Sequence, residues 1–207
     1  LWERQLSAVP NITYLDPEGR FILIGTDDGR LIRMTPEKVE SLMHQFDTPI
    51  TQIAVSANGE LMLVGLSDGS EGSRDRAVLV NLQGKELWEK EADSIISVRI
   101  AGPDNRLVLN WIENGISYLG AFTGEGEALW EVAQGSQLNL DNSGQIVVAV
   151  QGEEIVRYGQ DASPVWSYAT HGMVERVVMA QSGLYLAALI KDDATQNEDL
   201  LYLNMDG

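Results

Sequence analysis

The sequence predicts an all-β fold made of repeated four-stranded antiparallel sheets, and three observations support this prediction. Short apolar runs typical of strands alternate with turns, and no long segment has the period of a helix. One turn recurs five times, each time followed by a strand rich in Val, Leu or Ile. A Gly-x-x-Leu-Trp ending also recurs. Such periodicity is typical of repeat architectures.

The fullest copy of the repeated unit is Ile53–Lys90. Around its start, Ile50–Ser56 alternates apolar and polar residues, as a half-buried strand does. Leu61–Leu66 is a nearly unbroken apolar run, which is expected of a strand covered on both faces. Ala77–Leu82 is a third strand and Glu86–Lys90 a short fourth one. Four consecutive strands joined by loops and turns predict an antiparallel meander.

The turn between the first and second strands sets the period of the repeat. Its marker residue is Gly, or Asn in its place, at a position that suits a positive φ. The markers are Gly19, Gly59, Asn105, Gly144 and Gly183, with spacings of 40, 46, 39 and 39 residues. The first unit deviates at its end, because Leu42, Met43 and Phe46 stand where the Trp strand is expected. A loop or short helical turn from Pro36 is expected to precede that degenerate strand.

The two ends of the sequence complete a fifth unit between them. Leu1–Arg4 matches the fourth strand, whereas Leu200–Gly207 matches the third strand and its turn. When the ends are joined, the spacing from Gly183 to Gly19 is 43 residues, within the internal range. We therefore predict a five-bladed β-propeller whose last blade is closed by both termini. A fragment of a longer array is the alternative.

This prediction treats residues 1–207 as a single propeller domain. Its blades are expected at residues 7–47, 48–93, 94–134, 135–170, and 171–207 together with 1–6. Trp111 lies on a second strand instead of a fourth one and is expected to be ordinary core.

The Gly-x-x-Leu-Trp ending, with a short Val/Leu-rich strand before it, resembles the repeat of quinoprotein-type (PQQ-like) propellers and, more loosely, the WD-repeat group. The resemblance covers most of the chain. It implies that Trp2, Trp88, Trp130 and Trp166 dock neighbouring blades, which also agrees with the general role of large aromatics between sheets. Enzymes of that family use a quinone, calcium, an Asp base and a vicinal cysteine pair. This chain has no cysteine and no matched ligand set, so the resemblance is to the non-catalytic branch, without a cofactor. It also suggests a prokaryotic extracytoplasmic or secreted location.

The charge of the chain narrows the class of partner. A formal net charge of −17 disfavours nucleic acid and anionic membranes. No apolar run reaches the length of a membrane span. Nucleotide-binding glycine loops and the HExxH zinc motif are absent from the sequence. A protein partner is expected, with a cation or a glycan as alternatives.

Carboxylates recur in the connections between second and third strands. In a propeller these connections share one end of the fold, so an acidic binding face for a basic protein segment or a cation is predicted. The alternative is that Asp-Gly and Asn-Gly are simply good hairpin turns. The candidate residues are Asp27, Asp28, Asp68, Glu71, Glu113, Glu153, Glu154, Asp192 and Asp193. The same connections also hold Asp75, Asn114, Glu198 and Asp199.

A second function class is a glycoside hydrolase or carbohydrate-binding module that uses the channel mouth. Retaining and inverting glycosidases need paired carboxylates about 5 to 10 Å apart. The inner strands offer Glu175 and Asp141, with Arg99 and Arg176 nearby in the repeat, but no acidic triad. A Glu175–arginine ion pair is the simpler interpretation. His44 and His171 stand in unlike contexts, so neither a catalytic residue nor a histidine metal site is predicted.

Overall fold

The computed structural model describes residues 6–37, 39–133, 136–140, 147–159, 163–180, 182–192 and 197–204, with the backbone alone for 136–140 and 147. Within these residues the chain forms strands and turns. The strands are β1 Pro10–Leu15, β2 Ile22–Thr26, β3 Arg30–Met34, β4 Glu40–Gln45, β5 Ile50–Val55, β6 Leu61–Leu66, β7 Asp75–Asn81, β8 Glu86–Ala92, β9 Ser94–Ala101, β10 Arg106–Glu113, β11 Ile116–Phe122, β12 Ala128–Ala133, β13 Ser136–Leu140, β14 Val147–Gln151, β15 Glu154–Tyr158, β16 Pro164–Ala169, β17 Met173–Met179, β18 Tyr185–Lys191 and β19 Glu198–Asn204. In the described ranges, no helix has the length and apolar character needed to span a membrane.

These strands form five sheets in sequence order. Sheet 1 is β1–β4, sheet 2 is β5–β8, sheet 3 is β9–β12 and sheet 4 is β13–β16. Sheet 5 is β17–β19 and has three strands among the described residues. Consecutive strands are neighbours in every sheet, and pairs such as β6–β7 and β10–β11 are antiparallel. The predicted all-β meander is confirmed.

The recurring turn has the predicted backbone conformation at four of its markers. Gly19, Gly59, Asn105 and Gly183 have φ of 71°, 75°, 53° and 71°. In three of these turns the glycine N–H donates to the carbonyl three residues earlier at 2.8 Å. Because a left-handed φ is strained for most side chains, the repeat uses Gly or Asn there. Gly144 lies outside the described residues.

Contacts divide the chain into two compact units, residues 1–100 and 101–207. In the first unit, sheet 1 packs on sheet 2 through buried residues that include Leu23, Leu31, Met62, Val64 and Val78. In the second unit, sheet 3 packs on sheet 4 through Val108, Leu119, Trp130, Ala149 and Val156. There, sheet 4 also packs on sheet 5 through Val148, Ile155, Val174, Leu186 and Ala188. We call the side of a sheet that meets the next sheet its forward face, and the other side its backward face.

The fourth strand of three sheets contains a β-bulge at one position. Trp88 pairs with Leu79, Trp130 with Ala121 and Trp166 with Arg157. In each case the residue before Trp has no partner across the ladder. The unpaired residues are Leu87, Leu129 and Val165. The three sheets therefore share the position of this bulge, so the repeat extends to the pairing of single residues between strands.

Sheet 1 deviates at its fourth strand, as its sequence predicts. The strand β4 has no Trp, and its bulge falls at Met43, because His44 pairs with Leu31 while Leu42 pairs with Ile32. The bulge lies two residues farther from the turn than in sheet 2. Met43 and His44 consequently lie at the junction with sheet 2.

The predicted closure of the ring needs Leu1–Arg4 beside Leu200–Asn204. Leu1–Arg4 lies outside the described residues, so the closure stays a prediction.

Candidate functional site

The β2–β3 turn contains the first pair of candidate carboxylates, Asp27 and Asp28, both exposed. The Asp28 carboxylate accepts hydrogen bonds from Thr26 Oγ1 at 2.6 Å and Arg30 Nε at 3.1 Å. Its bond to Arg30 is the main cause that lowers the pKa of Asp28. Asp27 accepts from the Val9 backbone N–H at 3.2 Å. Asp28 therefore stabilises its own turn, and Asp27 has the less engaged carboxylate.

The β6–β7 connection, residues 67–74, contains Asp68 and Glu71. Asp68 accepts from the Ser70 backbone N–H at 2.8 Å and from Ser73 Oγ at 2.7 Å. The bond from the Ser70 N–H is the largest cause of a lowered pKa for Asp68. Glu71 is exposed. Asp75 follows at the start of β7, but it is buried and accepts from the Ile95 N–H at 2.9 Å, so it is not available to a partner.

Three arginines near these two connections form ion pairs with carboxylates. Arg74 binds Asp93 at 3.0 Å, and Arg30 binds Asp28 at 3.0 Å. Arg76 binds Glu89 at 3.4 Å and also pairs with Asp47. The spacing of carboxylates along the sequence does not reveal these arginine pairs, because the partners lie on other strands and connections.

These contacts bring two connections of unit 1 to the same end of its sheets. The Arg76–Asp47 pair joins the start of β7 to the segment between sheets 1 and 2. That segment adjoins the β2–β3 turn, where Gln45 Nε2 donates to the Asp28 carbonyl at 2.7 Å. We call this end the charged end of unit 1. Its acidic residues are Asp27, Asp28, Asp47, Asp68, Glu71, Glu89, Glu91 and Asp93, and its basic residues are Arg30, Arg74 and Arg76.

The charged end has an excess of negative charge. Its carboxylates outnumber its three arginines, so its potential is negative despite the ion pairs. In the part of the chain that the structure describes, neither Asp27 nor Glu71 has an ion-pair partner. These two exposed side chains are the ones that a cationic group could reach with the least disruption of existing contacts.

In unit 2 the remaining candidates lie at three connections. Glu113 is half-buried at the end of β10, before a turn in which Asn114 has φ of 52°. Glu153 is exposed between β14 and β15, and Glu154 is half-buried at the start of β15. Asp192 is half-buried after β18. Asp193 lies outside the described residues.

A small cavity of about 180 Å³ lies beside Asp192 in unit 2. Asp199, Tyr168, Thr170 and His171 also line it. The Thr170 hydroxyl is already engaged, since its oxygen lies 2.7 Å from the Gly172 carbonyl and 2.8 Å from the Glu153 carbonyl and donates its one proton between them. Across the described ranges, no three His, Cys, Asp or Glu side chains cluster in a way that could hold a metal ion.

The tryptophans occupy similar positions but differ in burial. Trp130 is buried and lies 6.4 Å from the Tyr158 ring of the next sheet. Trp166 is partly buried against the cluster between sheets 4 and 5. Trp88 is also partly buried, and Trp2 lies outside the described residues. Trp111 is buried on β10 and stacks on Tyr118 at 5.5 Å, which makes it core.

The residues considered for carbohydrate chemistry do not form a carboxylate pair. Glu175 is exposed on β17 at a bulge between Val174 and Arg176. It is the only acidic residue on the first strands of the five sheets that the structure describes. Arg99 donates to the Val98 carbonyl at 2.9 Å. Asp141 lies outside the described residues.

Known proteins share the fold of this chain but not its sequence. No family model matches the sequence, and no curated protein matches it. The chain is similar to Kuenenia stuttgartiensis hydrazine synthase, with a TM-score of 0.62 and 9% identity over 94% of this chain and 71% of that chain.

Two further similar structures are named as WD40 repeats and as a beta-propeller domain. The RRP9 WD40 repeats match with a TM-score of 0.65 and 12% identity, over 99% of this chain and 62% of that chain. The Myceliophteria thermophila Cps50 (Swd1) beta-propeller domain matches with a TM-score of 0.61 and 17% identity, over 91% of this chain and 64% of that chain. The chain thus spans less than two thirds of these two structures. At such identities the likeness shows the fold alone, and that fold is of the β-propeller type.

Proposed function

We propose that the protein is a non-enzymatic β-propeller scaffold whose acidic face binds a basic segment of a protein partner. The observation that carries this proposal is the charged end of unit 1, where Asp27 and Glu71 are exposed and outside the arginine pairs. Strand connections on a rigid sheet scaffold are common binding surfaces. The similarity to WD40 repeats supports a scaffold role by analogy of fold.

The ion pairs within the charged end would preorganise it for such a partner. Arg74 and Arg76 pair with carboxylates on neighbouring strands and connections, so the backbone that carries Asp27 and Glu71 is expected to lose little conformational entropy on binding. A lysine or arginine of the partner would add the missing positive charge. The exposed position makes the attraction sensitive to salt, because the Debye length is about 10 Å at 0.1 M.

The proposal extends to the equivalent connections of unit 2. Glu113, Glu153, Glu154, Asp192 and Asp193 would bind basic groups in the same way. The tryptophans Trp2, Trp88, Trp130 and Trp166 are proposed to dock sheets, without contacting the partner.

The test uses a fluorescent lysine-rich peptide as the probe. We expect Asp27→Lys with Glu71→Lys to weaken peptide binding at least tenfold, which corresponds to about 1.4 kcal/mol. The matched control is Glu18→Lys with Glu60→Lys, which changes the net charge equally on turns between first and second strands. If both double variants lose the same affinity, the peptide senses only net charge and the assigned face is wrong.

We also propose that Leu1–Arg4 forms the fourth strand beside β19 of the same chain, as the repeat predicts for the closure of a five-bladed ring. The tripeptide Leu-Trp-Glu occurs three times, and two copies lie on fourth strands, at Leu87–Glu89 and Leu129–Glu131. The third copy is Leu1–Glu3.

A further inference from the structure

The junction between sheets 4 and 5, within unit 2, carries an accessible aromatic side chain that the junction between sheets 3 and 4 lacks. At the latter, Val132 packs partly buried against the apolar cluster. Tyr168 occupies the equivalent position in sheet 4, because both residues lie two positions after the Trp of their fourth strand. Tyr168 is 38% exposed. Its side chain is therefore within reach of a ligand that arrives from solvent.

The alternation of side chains along two strands brings a carboxylate to the same junction. Tyr168 shares the forward face of sheet 4 with Trp166, which packs against the cluster between sheets 4 and 5. On β19, Asp199 shares the backward face of sheet 5 with Leu201 and Leu203, which pack against the same cluster. Tyr168 and Asp199 therefore lie on the facing sides of one junction.

The cavity of about 180 Å³ described above lies where these two faces meet. Tyr168, Asp192, Asp199 and Leu201 are among its lining residues. Protein cavities of about 150 Å³ hold a benzene-sized group, so this cavity has room for the end of one side chain. Asp199 is exposed and Asp192 is half-buried, so the cavity joins an accessible carboxylate to a more sheltered one.

The lining of the cavity is complementary to a positively charged donor. An ionised carboxylate only accepts hydrogen bonds, and the one proton of Thr170 is already shared between two backbone carbonyls. Among the residues that the structure describes, neither a lysine nor an arginine lines the cavity. Lys191 follows the lining residue Ile190 on β18, so it lies on the opposite face of sheet 5. The cavity thus favours a cation that donates hydrogen bonds.

An organic cation suits this lining better than a metal ion does. In the described ranges, no three His, Cys, Asp or Glu side chains are placed to hold a metal ion. A guanidinium group needs fewer partners, because it is planar and can stack on an aromatic ring while its N–H groups donate to a carboxylate. Tyr168 and Asp199 supply these two kinds of contact.

We propose that this cavity binds one arginine side chain of the protein partner. The guanidinium lies against the Tyr168 ring and donates to Asp199, while Asp192 adds negative charge. The apolar stem of the arginine lies along Leu201, as the stems of long basic side chains commonly lie on apolar surface. The inference rests on the proposed binding of a basic protein segment, and it assigns one arginine of that segment to unit 2.

A fluorescent Gly/Ser peptide with a single arginine is the probe, and its anisotropy measures binding to the full chain. We expect Asp199→Asn and Tyr168→Ala each to weaken binding at least fivefold, because one removes the charged acceptor and the other removes the ring. The matched controls are Glu198→Gln and Tyr185→Ala, which lie on the other face of sheet 5 and should bind the peptide as the native chain does. Equal losses in Asp199→Asn and Glu198→Gln would overturn the assigned cavity.

Changes in the peptide test the identity of the ligand. Citrulline in place of arginine removes the positive charge and keeps the planar shape, and we expect at least a tenfold loss of affinity. Lysine keeps the charge without the planar fork, and we expect at least a threefold loss. Equal affinity for the lysine peptide overturns the assignment to arginine. Free arginine that binds at least tenfold more tightly than the peptide overturns a protein partner for this cavity.

The outcomes also separate this cavity from the acidic residues of unit 1. Peptide binding that depends on Asp27 and Glu71 but not on Tyr168 and Asp199 overturns the cavity and keeps the proposed function. Binding that is lost in the cavity variants but retained in Asp27→Lys with Glu71→Lys keeps the cavity and overturns the face assigned to unit 1. If the arginine peptide does not bind the native chain, the cavity is overturned, whereas the lysine-rich peptide still tests the proposed function.

Discussion

The junction between sheets 1 and 2 and the junction between sheets 3 and 4 both join neighbouring sheets, but they use different side chains. At the second of these, Trp130 packs near the Tyr158 ring inside an apolar cluster with Leu119 and Ala149. At the first, His44 stands at the junction. Its Nδ1 lies 2.8 Å from the Gly84 carbonyl and its Nε2 lies 2.9 Å from Glu86. One junction depends on buried apolar area, whereas the other also depends on hydrogen bonds.

Other polar groups take part at the first junction. The Arg33 guanidinium lies 4.7 Å from the centre of the Phe21 ring, and the His44 ring lies 4.4 Å from that of Phe46. Both partners of the His44 ring, the Gly84 carbonyl and the Glu86 carboxylate, are hydrogen-bond acceptors. The repeat can therefore lose its Trp where a shifted bulge brings hydrogen-bonding groups into the junction.

The largest effect is expected from Trp130→Ala. Removing a buried Trp leaves a cavity in the cluster between sheets 3 and 4, and such changes cost about 3 to 5 kcal/mol of unfolding free energy. Urea unfolding followed by circular dichroism measures the loss. Leu129→Ala is the matched control, since its side chain is exposed and has no ladder partner, and it should change the stability by less than about 0.5 kcal/mol. Equal losses would mean that the apolar junction does not depend on Trp130.

Gly84→Ala is expected to be the most damaging glycine change at the first junction. Gly84 has φ of 76°, and a Cβ there would collide with the Met43 carbonyl oxygen of sheet 1. We expect a loss of about 3 kcal/mol, because the left-handed conformation costs about 1 kcal/mol and backbone displacement adds to it. Gly115→Ala has a similar φ of 74° with no atom within 4 Å of its Cβ, so it reports conformational strain alone. Similar losses in both variants would argue against a tight approach of the two sheets.

His44→Ala removes the contacts of the His44 ring with Gly84 and Glu86 and so tests the polar part of the first junction. We expect a loss of about 1 to 2 kcal/mol in unfolding free energy, the usual cost of deleting one member of a buried or half-buried hydrogen-bond group. His171→Ala is the control, as His171 is exposed, and it should be nearly neutral. A neutral His44→Ala would show that Met43 and the apolar residues alone hold this junction.

The smallest effect concerns the first turn of sheet 1, where Asp16 forms an ion pair with Arg20 at 2.8 Å. The hydrogen bond from the Arg20 side chain is the main cause that lowers the pKa of Asp16 from 3.8 to about 2. A lowered folded-state pKa means that ionised Asp16 stabilises the fold above pH 3.8, and that this contribution is lost as the pH falls through about 2. Asp16→Asn should therefore be less stable than the native chain at neutral pH, with the difference shrinking in acid.

The equivalent turn of sheet 2 provides the control for Asp16. There Ser56 Oγ, which does not titrate, accepts the Leu61 N–H at 2.9 Å. Thermal unfolding of Ser56→Ala and Asp16→Asn between neutral pH and about pH 2 measures both. A stability difference for Asp16→Asn that is constant across this range would contradict the role assigned to the ion pair.

The sequence was enough to predict the meander, because the signals for strands and turns are local. The Gly and Asn markers have the positive φ that the turn requires, and alternation with apolar runs identifies the strands. The deviation of the first unit was also readable from its missing Trp. A repeated pattern provides several independent copies of each signal, so single ambiguities matter less.

The candidate site was less accessible to sequence reasoning, because its properties arise from contacts between distant residues. Asp75 stands beside exposed acidic residues in the sequence, yet the fold buries it against the Ile95 N–H. Arg76 lies 29 positions from its partner Asp47. The placement of His44 at a junction depends on where one bulge falls, and no local propensity encodes that register.

The unpaired residue before Trp has a consequence for how the protein behaves in solution. Each fourth strand is the last of its sheet, and its outer backbone groups are a template on which foreign strands could add. A bulge twists such a strand and interrupts its regular hydrogen-bond spacing. We therefore expect that deleting Leu87, Leu129 or Val165, which removes the bulge and straightens the strand, makes the protein more prone to aggregate.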